Sequence, residues 1–172
     1  MEEQKHRTII ICSNYAWTIY NFRMALIRSL KSKGYKIIIL TQFDGCETAI
    51  GKEVDEIKPL FISRKGVNPF LEIFTILHLV KHLLILKPDV LLSFTTKTVI
   101  YGSIAAKFAN VRSIATVTGL GTAFIADTWL TKVVKFLYRY ALSSVSSVFF
   151  QNVDDKDLFI NKKLVDPRVC RL

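Results

Sequence analysis

A regular alternation of short β-branched runs with longer segments of helical spacing most constrains the fold of this chain. The short runs predict buried strands at residues 8–13, 36–41, 59–63, 89–94, 113–119 and 147–152, with a seventh beginning at 168–172. The segments of helical spacing are 20–34, 46–57, 68–87, 97–110, 129–144 and 154–164. Such alternation with short connections favours an α/β fold of three layers, in which helices cover both faces of a mostly parallel sheet of six or seven strands.

The length and composition of the chain predict one domain with a substantial core. The chain has 172 residues, of which 51% are hydrophobic. It has no internal repeat, low-complexity segment or linker-like stretch. Because the chain ends inside the predicted seventh strand, we expect residues 1–172 to be a single domain of a longer protein.

The charge balance bears on the partners of the chain. The formal net charge of +10 indicates a basic surface, which favours nucleic acid, anionic lipid headgroups or phosphorylated ligands. The sequence has no helix-turn-helix or RNP-like signature, so we expect no nucleic-acid partner. An anionic membrane surface and a phosphorylated ligand remain as the expected partners.

Cysteine usage and hydropathy bear on the compartment. The three cysteines are widely spaced without a CxxC pair, and Cys12 lies in a predicted strand as a reduced core residue. This favours a reducing, cytoplasmic location. The N-terminus has no apolar signal-peptide core, and the longest apolar segment, 70–86, is interrupted by Glu72, His78, Lys81 and His82. We therefore predict no uninterrupted membrane-spanning run.

The loops after the strands are the expected ligand sites, because parallel sheets bind ligands beyond the carboxyl ends of their strands. The first of these loops, 13–19, contains no glycine and reads SNYAWT at its start. Tyr15 and Trp17 could stack on sugar rings, and Asn14 offers both a donor and an acceptor. The alternative is that the two aromatic residues only pack against the start of the helix.

The loop after the fourth predicted strand contains Thr95, Thr96 and Lys97 just before a helix. Backbone amides at a helix N-terminus together with a lysine suit an anion. The alternative is simple capping by the threonines beside a solvated lysine.

The loop after the fifth predicted strand reads TVTGLGTAFIADTW. Its GLG segment permits close approach of the backbone, and Phe124 or Trp129 could contact an acceptor or lipid. No GxGxxG motif follows, so a dinucleotide fingerprint is absent. The alternative is an ordinary connection, within which Asp127 is a weak candidate for orienting a hydroxyl group.

A basic strip on the predicted helix 129–144 is a candidate membrane contact. Lys132, Lys135 and Arg139 fall within an arc of about 60° at 100° per residue, flanked by Trp129 and Phe136. A basic strip bordered by aromatic side chains is typical of a helix that lies on anionic lipid. The alternative is a solvated face of a core helix.

Signals for nucleophilic or metal chemistry are weak. The sequence contains no Ser–His–Asp set, no Cys–His pair and no DxD motif, so no catalytic residue is assigned and no metal or other cofactor is expected. His78 and His82 are four residues apart but have no third ligand, and we interpret them as packing or surface residues.

Four segments together resemble the N-terminal half of bacterial GT-B glycosyltransferases of family 4, of the capsule, O-antigen and lipid-linked oligosaccharide type. They are NYAWTIYNFRMALIRSLKSKGYKIIILT, SFTTKTVIYGSIAAKFANV, IATVTGLGTAF and VFFQNVDDKDLFI, and the resemblance covers residues from about 8 to the end. It implies half of a GT-B fold: one Rossmann-like N-terminal domain that binds the acceptor and touches the membrane. The C-terminal domain, which binds the nucleotide sugar, would lie outside this chain.

The function implied by the resemblance is transfer of a hexosyl group from a nucleotide sugar to a polyprenyl-diphosphate-linked or other glycan acceptor in surface polysaccharide biosynthesis. The enzyme would be cytoplasmic, on the inner face of the plasma membrane, and this chain alone would be inactive. The alternative is a non-catalytic membrane-anchoring or binding subunit that pairs with a separate catalytic partner.

The resemblance also implies a set of acceptor-binding residues. Thr118 stands where several relatives carry a His or Glu near the reacting sugar, and Thr98 stands where relatives often carry Pro. The implied acceptor-binding residues are Asn14, Tyr15, Thr96, Lys97, Thr118, Gly119 and Gly121.

Overall fold

The computed structural model describes residues 7–63, 68–119 and 129–172, apart from the side chain of Leu130. Its strands are β1 Thr8–Tyr15, β2 Lys36–Gln42, β3 Glu56–Pro59, β4 Val90–Phe94, β5 Arg112–Val117, β6 Ser147–Phe150 and β7 Cys170–Arg171. The α-helices in these residues are α1 Ala16–Phe22, α2 Met24–Ser32, α3 Glu47–Gly51, α4 Pro69–Leu86, α5 Thr96–Phe108, α6 Trp129–Leu142 and α7 Val153–Asn161. A short 3₁₀ turn, Pro167–Val169, precedes the last strand.

The seven strands form one sheet in the order β3-β2-β1-β4-β5-β6-β7, and every adjacent pair is parallel. The chain crosses from β3 at one edge to β4 beside β1. The direction of winding therefore reverses between β1 and β4, which is where open parallel sheets form a ligand crevice. We call the edge formed by the carboxyl ends of the strands the ligand edge.

Two hydrophobic cores lie on opposite faces of the sheet, because alternate side chains of each strand point to opposite sides. On one face, Ile10 and Cys12 of β1 belong to a core that includes residues of α4 to α7. On the other face, Ile9 and Ile11 pack with residues of α1 to α3. The expected three-layer, Rossmann-like α/β domain is confirmed, and Cys12 is a buried free thiol as predicted.

The third strand differs from the prediction. The strand is Glu56–Pro59 rather than 59–63, and the predicted helix 46–57 is limited to Glu47–Gly51. Ile57 of this strand pairs with Ile39, whereas Leu60 and Ile62 are buried in the core formed with α4. The apolar run at 60–62 thus reflects burial beneath a helix, which sequence alone does not distinguish from a place in the sheet.

The first helix also differs from the prediction. It begins at Ala16 instead of residue 20, so Asn14 and Tyr15 end the strand and the expected loop 13–19 is wrong. The helical region is divided at Arg23, whose backbone leaves the helical conformation at φ −126° and ψ −3°. The strand therefore passes directly into α1 at the ligand edge.

One described helix, α4, is long and apolar enough to cross a bilayer by length and composition alone. Core helices of water-soluble domains meet the same criterion, and α4 contributes Leu79 and Leu83 to the core. Its interruptions at Glu72, His78, Lys81 and His82 are those noted in the sequence. The opposite face of α4 is exposed and apolar except for Lys81.

Candidate functional site

A cavity of about 410 Å³ opens at the ligand edge, beside the point where the winding reverses. It is bounded by the ends of β1, β4, β5 and β6 and by the junction between α1 and α2. Its lining residues are Ser13, Thr18, Phe22, Arg23, Phe94, Thr95, Thr118 and Gln151. The volume falls within the usual range for small-molecule sites.

Asn14 connects the end of β1 to the start of α5. Its backbone N–H donates to Thr95 Oγ1 at 3.3 Å. Its side-chain Oδ1 is buried and accepts no hydrogen bond from the described residues. Buried amide oxygens are normally paired, and this unpaired oxygen belongs to the residue after Ser13, which lines the cavity.

The aromatic residues that follow Asn14 lie at the N-terminus of α1. Tyr15 is half-buried and occupies the N-cap position. Trp17 is exposed, donates its backbone N–H to Asp44 Oδ2 at 3.0 Å, and makes an edge contact with Phe22 at 5.6 Å between ring centroids. Trp17 thus packs against Phe22 of the same helix, while about half of its surface stays exposed.

Thr95 adopts a backbone conformation that is unusual for a β-branched residue. Its φ of 74° with ψ of 149° lies in a region occupied mainly by glycine, at a cost of about 1–3 kcal/mol. Its hydroxyl lies 3.0 Å from that of Thr98, which in turn donates to the Phe94 carbonyl. These hydroxyl contacts hold Thr95 at the cavity wall at the N-terminus of α5.

Lys97, an expected acceptor-binding residue, is turned toward α4. Its ammonium group lies 2.5 Å from Glu72 Oε1 and donates to the Ser63 carbonyl at 3.1 Å. The two side chains are only 17% and 11% exposed. The charge of Lys97 is therefore already paired, and Lys97 is not among the described residues that line the cavity. Thr96, the first residue of α5, is half-buried beside it.

Thr118 lies in the wall of the cavity, just beyond the end of β5. Gly119 follows with φ of 134°, and a Cβ there would meet no atom of the described residues within 4 Å. The backbone conformation, rather than crowding, is thus the reason for glycine at this position. Gly121, Phe124 and Asp127 lie outside the described residues.

Sequence reasoning missed four residues of the cavity: Phe22, Phe94, Arg23 and Gln151. Arg23 occupies the break between α1 and α2, and its guanidinium carbon lies 4.3 Å from the centroid of the Phe94 ring. A helical pattern through residues 20–34 concealed this break. Gln151 directly follows β6, whereas the strand predicted over 147–152 includes it, so the prediction concealed its place at the ligand edge.

A second cavity, of about 850 Å³, lies between α4 and the segment after β3. There His78 Nδ1 accepts the backbone N–H of Phe61 at 3.4 Å, and the Nε2 atoms of His78 and His82 are 3.1 Å apart. Burial is the main cause that lowers the pKa of both imidazoles, and nearby Lys81 lowers them further. No cluster of three metal-ligating side chains exists among the described residues.

The outer faces of α6 and α4 expose apolar side chains. On α6, Trp129 is 72% and Phe136 66% exposed, and Lys132 is exposed beside them. Lys135 is half-buried and takes part in an interaction, while Arg139 donates to the carbonyls of Lys162 and Lys163 at the end of α7. The exposed apolar residues of α4 are Phe70, Leu71, Ile73, Phe74, Leu77, Leu84 and Ile85.

Several solved structures have a similar fold. Anabaena Alr3699/HepE in complex with UDP and glucose superposes with a TM-score of 0.68 at 15% identity, covering 96% of this chain and 44% of that one. A glycosyltransferase from Rickettsia africae superposes at 0.69 with 15% identity, covering 97% and 42%. A UDP-GlcNAc 2-epimerase from Methanocaldococcus jannaschii gives 0.65 at 14% identity, covering 97% and 45%. These similarities establish the fold as that of one domain of GT-B glycosyltransferases.

Sequence comparison identifies the family. A curated relative, the N,N'-diacetylbacillosaminyl-diphospho-undecaprenol alpha-1,3-N-acetylgalactosaminyltransferase of Campylobacter jejuni, is 26% identical over 158 residues, which are 89% of this chain and 42% of that protein. The chain thus spans less than half the length of this relative. The model of the "Glycosyl transferase 4-like" family matches residues 9–152. The chain belongs to the glycosyl transferase 4-like family.

Proposed function

We propose that this chain is the acceptor-binding part of a glycosyltransferase that moves a sugar from a nucleotide-sugar donor to a polyprenyl-diphosphate-linked acceptor. The observation that carries the proposal is the cavity at the ligand edge, where Ser13, Thr95, Thr118 and Gln151 converge from four strand ends. The relative in Campylobacter jejuni is named for transfer to a diphospho-undecaprenol-linked sugar. Donor binding is assigned to a second domain outside these 172 residues.

The chemistry of the cavity suits binding of a sugar. Hydroxyl and amide groups can exchange hydrogen bonds with sugar hydroxyls, while Phe22 and Phe94 provide apolar surface for ring faces. Among the described residues that line the cavity, none is a carboxylate or an imidazole. We therefore assign these residues to holding the acceptor and assign no proton transfer to them.

A membrane surface as a partner fits the position of the exposed apolar faces. Helices α4 and α6 each follow a strand, so both begin at the ligand edge. With a rise of about 1.5 Å per residue, α4 is roughly 27 Å long, and an exposed apolar stripe runs along it from Phe70 to Ile85, interrupted by Lys81. Exposed apolar helix faces bordered by lysine are typical of helices that lie in the lipid interface. We propose that α4 and α6 place the cavity close to a lipid-linked acceptor at the inner face of the plasma membrane.

The test uses the complete enzyme that contains this chain, with a short-chain polyprenyl-diphosphate-linked sugar as acceptor. Thr118→Val removes a hydroxyl from the cavity wall, and Thr116→Val makes the same change two residues earlier, outside the lining. We expect Thr118→Val to raise the KM for the acceptor about tenfold with the donor KM unchanged, because a lost hydrogen bond costs about 1 kcal/mol or more. Equal kinetics of the two variants would contradict the proposal.

A second candidate function is a non-catalytic subunit that anchors a separate catalytic partner to the membrane. The apolar outer faces of α4 and α6 favour it, together with the lack of a described carboxylate or imidazole in the cavity wall. Co-purification distinguishes the two functions. Transfer that requires a separately encoded polypeptide supports the subunit, whereas transfer by one continuous polypeptide containing this chain excludes it.

A further inference from the structure

Arg23 has an unusual setting for a surface arginine. It stands at the break between α1 and α2, half-buried, with its guanidinium stacked over the Phe94 ring at 4.3 Å. Stacking on an aromatic face stabilises a guanidinium and restricts its orientation. The break in the helix and the ring of Phe94 together place this group in the wall of the cavity at the ligand edge.

The charge of Arg23 is not paired with a carboxylate in the described part of the chain. Its side-chain hydrogen bond there is from Nη1 to the carbonyl of Phe22 at 3.2 Å. Burial lowers the pKa of Arg23, with no opposing contribution from an acidic group. Arg28, on the same helical region, instead donates two hydrogen bonds of 2.6 Å to Glu53. With respect to the described residues, Arg23 therefore keeps most of its five donors available.

The surroundings of Arg23 favour an anion. Among the described residues that line the cavity, Arg23 is the only charged side chain. Thr95, also in the lining, precedes the 13-residue helix α5, whose N-terminal amides have no side-chain cap. Such amides carry partial positive charge, which adds to the attraction of Arg23 for a negative group.

We propose that Arg23 is the anion-binding residue of this cavity and that it binds the diphosphate group of a substrate. The planar guanidinium matches phosphate oxygens through paired N–H···O bonds. The proposal rests on the proposed function, in which both the lipid-linked acceptor and the nucleotide-sugar donor carry a diphosphate. It gives Arg23 the anion-binding role that the sequence suggests for Lys97, whose charge is paired with Glu72.

The first experiment measures binding of inorganic pyrophosphate to the 172-residue chain by isothermal titration calorimetry. Arg23→Gln is compared with Arg28→Gln, which removes the same charge from an exposed surface pair. We expect Arg23→Gln to weaken binding at least about tenfold and Arg28→Gln to change it less than about twofold. Arg23→Lys keeps the charge but lacks the planar guanidinium with its paired N–H donors, so its affinity for pyrophosphate should lie between those of the two glutamine variants. Circular dichroism and thermal unfolding confirm that each variant is folded.

Two results would overturn the assignment of the anion site to Arg23. No saturable binding of pyrophosphate by the wild-type chain, or equal weakening in Arg23→Gln and Arg28→Gln, would remove the site. Should Arg23→Gln fail to fold, the comparison of Arg23→Lys with Arg28→Lys decides on the same criterion.

Two further titrations identify the source of the diphosphate. A loss of geranyl diphosphate binding in Arg23→Gln, with UDP binding unchanged, assigns the site to the lipid-linked acceptor, and the reverse assigns it to the donor. If the Thr118→Val transfer assay contradicts the proposed function while pyrophosphate binding still depends on Arg23, the proposed function is refuted and the anion site is retained.

Discussion

Lys97 Nζ lies 2.5 Å from Glu72 Oε1, so one ion pair joins the first turn of α5 to the first turn of α4 at the ligand edge. Tyr101, one turn further along α5, is close to the same carboxylate. Burial is the largest cause that raises the pKa of Tyr101, and Glu72 raises it further. This buried group of three fixes how α4 lies against α5, beneath the apolar stripe assigned to the membrane.

Removal of Lys97 should destabilise the domain. Lys97→Met leaves the Glu72 carboxylate buried without its cation, and we expect the free energy of unfolding in urea to fall by about 3 kcal/mol. The double variant Glu72→Gln/Lys97→Met should recover much of that loss, because the unpaired charge is gone. The control is Lys31→Met, which removes a more exposed partner of Asp55 and should cost less than about 1 kcal/mol. Equal losses for Lys97→Met and Lys31→Met would contradict this role.

Gly102 allows α5 to approach β4 closely. A Cβ at this position would lie 2.6 Å from Ser93 Oγ and 3.4 Å from a methyl carbon of Leu91. We expect Gly102→Ala to lower the free energy of unfolding by about 2 kcal/mol through overpacking. In a Ser93→Ala background the clashing oxygen is absent, so the same substitution should cost less. Strictly additive effects in this double-mutant cycle, measured by chemical denaturation, would show that the clash is not the cause.

The imidazoles of His78 and His82 should make stability depend on pH. Burial is the largest cause that lowers the pKa of each imidazole in the folded chain, and the charge of Lys81 lowers both further. The pKa of His82 is also lowered by Lys58, whereas Glu56 raises it. The folded state thus binds these protons less readily than the unfolded state. The contribution of the two neutral imidazoles to the free energy of unfolding is therefore present above their pKa in the unfolded chain, about 6.5. It is lost as the pH falls through their lower pKa values in the folded chain.

We expect the melting temperature of the wild-type chain to drop between pH 7.5 and 5.5. The variant His78→Asn/His82→Gln, which has no imidazole in this cavity, should show a smaller drop over the same interval. Differential scanning fluorimetry at both pH values provides the comparison. Identical drops for the wild type and the variant would exclude the pair as the source.

Charge on α6 should contribute to binding of anionic vesicles. Lys132 is exposed beside the aromatic residues, whereas Arg139 also binds the end of α7 and is a poorer choice for substitution. We expect Lys132→Glu to weaken sedimentation with phosphatidylglycerol vesicles about tenfold, since each basic residue near such a surface contributes about 1 kcal/mol. Lys52→Glu makes the same reversal at the end of α3, in the helical layer on the other face of the sheet. Equal weakening by both reversals would indicate a general charge effect.

Sequence patterns predicted the alternation of elements and the edge where polar residues gather, because β-branched runs and helix caps are local signals. Asn68, for example, caps α4 through Phe70 N–H as its position before a proline indicates. The division of the first helix at Arg23 was not predictable in this way, since no glycine or proline marks it. The pairing of Lys97 with Glu72 depends on how two helices pack, which residue spacing does not reveal.

The hydrogen bond from Asn14 to Thr95 spans 81 positions of the chain. Together with Ser13, Thr118 and Gln151, it makes the cavity depend on four strands, β1, β4, β5 and β6, so that no short fragment could hold a ligand there. Occupancy of the cavity is consequently linked to cooperative unfolding of the domain as a whole. A compound bound there would protect the amides of β1, β4 and β5 from hydrogen exchange together, including amides it never touches.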